Sequence, residues 1–149
     1  MNAAIRPDIT ARLVETLYAE ALVLADEMRI AFQPGSAADE VKATPAQRVS
    51  LACESLKTTT RLMTVITWLL GQRARLNGEI ATVSPLGEVD PQDERVMPLL
   101  PGRAQQAVRA SVELYDRISR IAISRPVDHR VPVPANDARA LFSRLERAF

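Results

Sequence analysis

The 149-residue sequence contains one histidine, His129, and one cysteine, Cys53. A single cysteine cannot form an intramolecular disulfide, and structural zinc sites need four Cys or His ligands. Di-iron helical bundles are excluded too, because they use two Glu-x-x-His motifs. We therefore expect no metal and no cofactor. Cys53 lies in an apolar stretch, and we interpret it as a buried structural thiol.

The sequence also lacks an excess of charge and a long apolar run. It has 19 basic and 18 acidic residues, a formal net charge of +1, which favours neither nucleic acid nor anionic lipid as a partner. The uncharged run between Arg61 and Arg73 is 11 residues long, whereas a membrane-spanning helix needs about 20. The first thirty residues mix charged and apolar side chains, unlike a signal peptide. We expect a cytoplasmic protein without direct membrane or nucleic-acid contact.

Three segments, at about 8–32, 45–77 and 102–124, have apolar residues three or four positions apart, which is typical of amphipathic helices. Asp8 is the predicted N-cap of the first helix, and Pro34-Gly35 is its predicted end. Thr44 and Gln47 predict a capping box for the second helix. The predicted core seams are Ile9, Leu13, Leu17, Leu24 and Met28 in the first helix; Val49, Ala52, Leu56, Met63, Ile66 and Leu70 in the second, widened by Leu51, Leu62, Val65, Leu69 and Leu76; and Ala107, Ser111, Leu114, Ile118 and Ile121 in the third.

These segments predict an all-α fold, an antiparallel three-helix bundle with a long central helix. The short linker makes the first pair antiparallel, and antiparallel is also the default for the second and third helices. Four prolines between residues 78 and 102 predict an irregular connection. We divide the chain into a bundle, 1–125, and a flexible, proline-containing C-terminal tail, 126–149, that ends in a short amphipathic helix.

The sequence has no motif for catalysis. It contains no glycine-rich phosphate loop, no G-x-S-x-G elbow and no zinc-ligand spacing. His129 stands between Asp128 and Arg130 in the tail, and we interpret it as solvated. We therefore expect no catalytic residue and no enzyme activity.

The second helix contains an unusual set of threonines, which either line a polar pocket or hydrogen-bond to the preceding helical turn. The second interpretation is favoured. The set is Thr58, Thr59, Thr60, Thr64 and Thr67.

Candidate interaction residues occur in two places. Trp68 falls on a helix face with Arg61 and Arg75, away from the predicted seam, and Gly71 would let another chain approach. The alternative is a second helix buried nearly all round, with Trp68 touching a neighbouring helix. In the tail, an apolar row either docks on the bundle or enters a partner's groove; it consists of Leu141, Phe142, Leu145 and Phe149.

Four stretches carry a resemblance to a known family: T-T-R-L-M-T-V-I-T-W-L-L-G-Q-R-A at 59–74, N-G-E-I at 77–80, L-P-G-R at 100–103 and S-V-E-L-Y-D-R-I at 111–118. They resemble the family of the alphaproteobacterial regulator of CtrA degradation (RcdA), which is DUF1465-like. The resemblance covers the second and third helices.

The resemblance implies a homodimeric three-helix bundle that acts as a non-enzymatic adaptor. Such an adaptor binds the ClpX unfoldase of the ClpXP protease after a CpdR-like response regulator has primed it. It delivers cell-cycle regulators for degradation, some of them through a cyclic-di-GMP effector. By this resemblance the tail would engage cargo or protease.

Two other functions stay open. One is a dimeric helical protein-interaction module unrelated to proteolysis, and the other is a DNA-associated regulator. The third helix carries Arg103, Arg109, Arg117 and Arg120, but Glu113 interrupts this basic row, and no helix-turn-helix spacing precedes it.

Overall fold

The computed structural model describes residues 5–33 and 43–124. They form three helices, α1 (Ile5–Ala31), α2 (Pro45–Leu76) and α3 (Gly102–Ser124), with a short 3-10 helix at Met97–Leu99 and no strand within the described ranges. The predicted all-α three-helix bundle is confirmed. The tail, 126–149, lies outside the described residues, and so does the predicted end of α1 at Pro34-Gly35.

The predicted capping box of α2 is confirmed. The Thr44 hydroxyl accepts a hydrogen bond from the backbone N–H of Gln47 at 3.2 Å, and the Gln47 side chain accepts one from the Thr44 N–H at 2.9 Å. At the other end of α2, Gly78 has a φ of 76°, a left-handed conformation that glycine adopts without strain. Local sequence therefore sets both ends of the longest helix.

The predicted N-cap of α1 is wrong. This helix begins at Ile5, so Asp8 lies inside its first turn. The proline at position 7 falls within that turn, where the missing N–H has no intrahelical partner to lose.

The core lies where the three helices meet. In α1 it contains Leu17 and Leu24 as predicted, whereas Leu13 is largely exposed. In α3 the predicted row is buried at Ala107, Ser111, Leu114 and Ile118. A second cluster, made by Met97, Leu100, Ala104 and Val108, closes the end of the bundle where α3 begins.

The predicted core seam of α2 is correct for the widening residues Leu62, Val65 and Leu69 and wrong for most of its central row. Val49, Leu56, Met63 and Leu70 are exposed, and the apolar core positions of this helix are Leu62, Val65, Trp68 and Leu69. The buried side also includes polar residues, namely Glu54, Thr58, Arg61 and Gln72. Buried polar groups of this kind need hydrogen-bond partners from other parts of the fold. Among the described residues, Glu54 Oε2 is a buried side-chain atom that has none.

Helix α1 runs antiparallel to both other helices, as the contacts along its length show. Glu15 forms an ion pair with Arg73, near the end of α2, at 2.8 Å. Glu20 pairs with Arg117 in the second half of α3. At the opposite end of α1, Phe32 packs on the cluster at the start of α3.

Helices α2 and α3 run parallel, so the predicted antiparallel direction of this pair is wrong. Leu51, early in α2, packs on the cluster that includes Ala104 and Val108, and ten residues further along α2, Arg61 bonds to Ser111. The physical reason is the length of the segment that joins α2 to α3, residues 77–101, here called the connection. Its 25 residues are enough to return along the full length of α2 before α3 starts.

Candidate interaction surface

The connection packs back along one side of α2, in the direction opposite to the helix. Val83 lies over Gly71, where an added Cβ would come within 2.9 Å of the valine Cγ1. Further on, a Cβ at Gly87 would be 3.3 Å from the Thr64 methyl carbon. Gly71 does allow a close approach, as predicted from the sequence, but the segment that approaches is the protein's own connection.

Arg61 holds the middle of this connection from the interior. Its side chain is buried, its Nη1 donates to Ser111 Oγ at 2.9 Å, and its Nη2 donates to the Asp90 carbonyl at 2.9 Å. Burial lowers the pKa of the guanidinium below its ordinary value, and the negative charge of Glu54 opposes this shift. The prediction of Arg61 as an exposed interaction residue is therefore wrong, since it joins α2, α3 and the connection.

Glu54 holds the connection two turns earlier in α2. Its buried Oε1 accepts hydrogen bonds from Lys57 Nζ at 2.9 Å and from the Asp93 backbone N–H at 3.0 Å. The hydrogen bond to Glu54 is the main reason why the pKa of Lys57 is raised. Together, Glu54 and Arg61 fasten two points of the stretch 81–93, which forms no helix or strand.

Trp68 lies in the hydrophobic core, with 7% of its surface exposed. Its predicted position on an exposed interaction face is wrong. The alternative is correct in placing Trp68 in the core but wrong in expecting α2 to be buried nearly all round, since Leu56 and Met63 are exposed. Arg75 is exposed and donates to Gln72 Oε1 at 3.3 Å. The three predicted interaction residues of α2 therefore do not form one surface.

The threonines of α2 bond to their own helix, as expected. Four hydroxyls donate to the carbonyl four residues earlier at 2.8 to 2.9 Å, those of Thr58, Thr59, Thr60 and Thr64. Only Thr58 is fully buried. These hydroxyls are satisfied without water or a polar pocket.

The side of α2 that faces away from the bundle, here called the outer face, is apolar and uncharged. It consists of exposed residues: Val49, Ala52, Cys53, Leu56, Thr59, Thr60, Met63, Thr67 and Leu70. Four of them, at a spacing of seven residues, are large hydrophobics with 63%, 67%, 57% and 43% of their surface exposed. The expected burial of Cys53 is wrong, because it lies on this face.

The outer face has no charged side chain because the few charged residues in this part of α2 lie on other sides of the helix. Between Arg48 and Arg73 the sequence has three charged residues, Glu54, Lys57 and Arg61. The first and the last are buried, and Lys57 is held by Glu54 on the side of the connection. Exposed apolar patches of this kind mark interaction sites in monomeric structures.

A groove of about 490 Å³ separates α1 from α2 beside the outer face. Met28 and Phe32 line it on the α1 side, and Thr59, Met63 and Ile66 line it on the α2 side. The groove and the outer face therefore form one continuous, mainly apolar surface. The sequence does contain the signal for this surface, in the seven-residue spacing of its large side chains, but by hydrophobicity alone that spacing predicts a core row.

The remaining candidate residues lie outside the described part of the chain: the tail residues Leu141, Phe142, Leu145 and Phe149, together with His129. Within residues 5–33 and 43–124, no helix is long and apolar enough to cross a membrane. Two of the α3 arginines form contacts within the bundle. Arg117 pairs with Glu20 of α1, and Arg120 donates to the Asp116 carbonyl of its own helix.

Comparison with known proteins identifies one family. The family model described as a protein of unknown function, DUF1465, matches residues 5–149. No curated protein and no solved structure matches the chain. The match extends over all three helices and the residues beyond them, so the chain belongs to the DUF1465 family.

Proposed function

We propose that this protein is a non-enzymatic adaptor that tethers regulatory proteins to the ClpXP protease for cell-cycle-regulated degradation. Membership of the DUF1465 family supports the proposal, together with the resemblance of α2 and α3 to the regulator of CtrA degradation. The observation that carries it is the outer face of α2, an exposed apolar surface without charge.

An adaptor works by proximity. Holding a substrate and a protease on one scaffold raises their effective concentration by orders of magnitude without covalent chemistry. Such a protein needs contact surfaces on a rigid frame. Here Glu54 and Arg61 make the frame rigid by fastening the connection to α2 and α3, and this leaves the outer face free for contact.

The proposed partners are the ClpX unfoldase, a CpdR-like response regulator and protein substrates, all in the cytoplasm. The scaffold is proposed to be a homodimer. The tail, 126–149, is the segment proposed to engage protease or cargo, through Leu141, Phe142, Leu145 and Phe149.

The proposal is tested by binding of the fluorescently labelled full-length chain to ClpX, with and without the CpdR-like regulator. A second protein, ending at Arg125, tests the tail. We expect binding that depends on the regulator and that is lost in the shortened chain, because the frame alone lacks the segment proposed to reach the protease.

The control for surface chemistry is Ile123→Ser, which removes an exposed apolar side chain near the end of α3 and should bind like the unchanged protein. Absence of binding by every variant, under conditions where a known adaptor binds, would contradict the proposal. The alternative, a helical interaction module unrelated to proteolysis, would then explain the exposed outer face.

A further inference from the structure

We propose that the outer face of α2 is the surface through which two copies of this chain pair, across a two-fold axis. The inference deepens the proposed scaffold function by assigning its dimer contact to particular residues. The inference rests on the proposed function in one respect, namely that the outer face is a contact surface.

Two rows of residues, each with a spacing of seven, run along α2. Glu54, Arg61 and Trp68 form the inner row and are buried in the bundle. The outer row consists of Val49, Leu56, Met63 and Leu70, and it is exposed. The two rows are two positions apart in sequence, about 200° around a helix that turns 100° per residue, so α2 has two opposite contact faces.

The outer row continues as a heptad pattern. Three residues after each of its first three members come Ala52, Thr59 and Ile66. Positions a and d of a heptad are therefore occupied by small or apolar side chains over three consecutive repeats, which is the pattern that packs one helix against another helix. Ile66 is half-buried and also packs on the bundle core, whereas the other positions of the seam are exposed and are left for a partner helix.

The absence of charge favours a second copy as that partner. A two-fold interface brings each patch against itself, so a charged patch would place like charges together. The outer face has no charged residue from Val49 to Leu70, and it can meet its own copy without repulsion. A partner chosen by charge would find no complementary group on it.

The threonine hydroxyls of the outer face do not oppose burial in a dimer contact. Burying a hydroxyl without a hydrogen-bond partner is costly. Thr59 donates to the Ser55 carbonyl at 2.9 Å and Thr60 to the Leu56 carbonyl at 2.9 Å. Both hydroxyls are already satisfied within the helix, so a partner can cover them while it contacts their methyl groups.

The outer face of α2 alone has a footprint of about 320 Å², so a dimer of standard size also needs the neighbouring surface of α1. From Val49 to Leu70 the face is about 32 Å long at 1.5 Å per residue, and a helix with its side chains is about 10 Å wide. Standard interfaces bury about 800 Å² of accessible surface on each partner. The groove beside Met63, and Leu22, which lies one turn before the groove residue Ala25, extend the contact surface onto α1. Arg29, which also lines the groove, has its charge paired with Asp26.

The test is sedimentation equilibrium of the purified full-length chain from about 1 to 100 µM, a range that covers dissociation constants near 10 µM. We expect a monomer–dimer equilibrium for the unchanged protein. The double variant Leu56→Arg with Met63→Arg should weaken the dimer at least about 100-fold, since each substitution should cost about tenfold or more by placing two like charges at the two-fold contact.

The matched controls are Val23→Arg and Ile123→Arg, which place the same charge on side chains with 60% and 81% exposure that lie on α1 and α3. Both should dimerise like the unchanged protein. Circular dichroism must show unchanged helicity, and because Leu56 and Met63 are exposed, the double variant should fold.

Two results would overturn the inference. One is an unchanged protein that stays monomeric at 100 µM, and the other is a double variant that dimerises as tightly as the controls. Neither result depends on ClpX, so the failure of this inference and the failure of the adaptor proposal are distinguishable. In either case the outer face would remain open to a different protein.

Discussion

At the scale of single residues, neighbours distant in sequence decide whether a side chain of α2 is surface or core. Arg61 is a charged residue in the middle of a helix, which alone predicts exposure. It is buried because its two acceptors, Asp90 and Ser111, come from 29 and 50 residues further along the chain. A buried guanidinium with both hydrogen bonds made is stable where an unpaired one would not be.

Trp68→Ala is expected to destabilise the fold. Trp68 is buried in the core cluster, and truncation of a buried aromatic residue to alanine costs about 3–5 kcal/mol. The measurement is urea unfolding followed by circular dichroism. Ile123→Ala, at an exposed position, is the control and should change the free energy of unfolding by less than about 0.5 kcal/mol. Equal stability of the two variants would contradict the core position of Trp68.

A pH dependence is expected at Asp93. The Arg95 side chain and backbone N–H both donate to this carboxylate, at 3.2 and 3.0 Å, and they hold the pKa of Asp93 below its ordinary value. Because the pKa is lowered on folding, the stabilisation is present above the ordinary value of about 3.9. It is lost as the pH falls through the lowered pKa.

The substitution Arg95→Gln removes the side-chain bond and should raise the pKa of Asp93 towards its ordinary value. Carbon NMR titration of the carboxyl group measures this shift. Arg103→Gln, an exposed arginine at the start of α3, is the control and should leave the titration unchanged. The same Asp93 pKa in all three proteins would refute the assignment.

At the scale of elements, the connection is ordered by its contacts with the helices. Residues 81–93 form no helix or strand, yet side chains from α2 and α3 hold them. Tyr115 donates its hydroxyl to the Gly87 carbonyl at 2.8 Å, and Glu54 and Arg61 bind the backbone of Asp93 and Asp90. This path makes α2 and α3 parallel, and it covers the side of α2 on which a second chain could otherwise pack.

A double-mutant cycle between Gly71 and Val83 tests the contact. An alanine normally stabilises a helix by about 1 kcal/mol relative to glycine. In the unchanged protein the new Cβ would lie 2.9 Å from Val83 Cγ1, so Gly71→Ala should be destabilising. In a Val83→Ala background the same substitution should be stabilising by up to about 1 kcal/mol, since the obstructing methyl groups are gone.

The free energies of unfolding of the four proteins give the coupling directly. An identical effect of Gly71→Ala in both backgrounds would show that Val83 does not lie over Gly71. Gly78→Ala is not a suitable control, because Gly78 needs its positive φ. The control is Ala74→Gly, in the next turn of α2, which measures the difference in helix propensity between alanine and glycine away from Val83.

At the scale of the whole molecule, the bundle should fold without the tail. The core residues of α1, α2 and α3 lie between Val14 and Ile118. A protein that ends at Arg125 should therefore unfold with a free energy within about 0.5 kcal/mol of the full-length chain. Chemical denaturation of both proteins measures the difference, and a loss of several kcal/mol would show that the tail helix docks on the bundle.

The positions of the three helices and the ends of α2 and α3 could be predicted because they depend on near neighbours. The capping box of α2 joins residues three positions apart, and the threonine hydroxyls bond four residues back. Such interactions form wherever the helix forms, whatever packs against it.

The buried face of α2 could be predicted only in part: hydrophobicity identifies Leu62, Val65 and Leu69 but not the inner row of Glu54, Arg61 and Trp68. Both rows along this helix have a seven-residue spacing, and the outer row, with Leu56 and Met63, is the more hydrophobic. Hydrophobicity alone therefore selects the wrong row. The signal that would have identified the inner row is the placement of Glu54 and Arg61 seven residues apart with Trp68, but it has meaning only when their distant partners are known.

By itself, the sequence determined where the three helices of the described residues lie, and its single cysteine and single histidine exclude an intramolecular disulfide and a four-ligand Cys/His zinc site within the chain. These properties follow from composition, periodicity and contacts within a few residues. Only the tertiary structure decided that α2 and α3 are parallel and that α2 presents its apolar outer face to solvent. The physical reason is that burial of Glu54 and Arg61 requires acceptors and donors from the connection and α3, 29 to 50 residues away, and the folded chain alone brings these groups together.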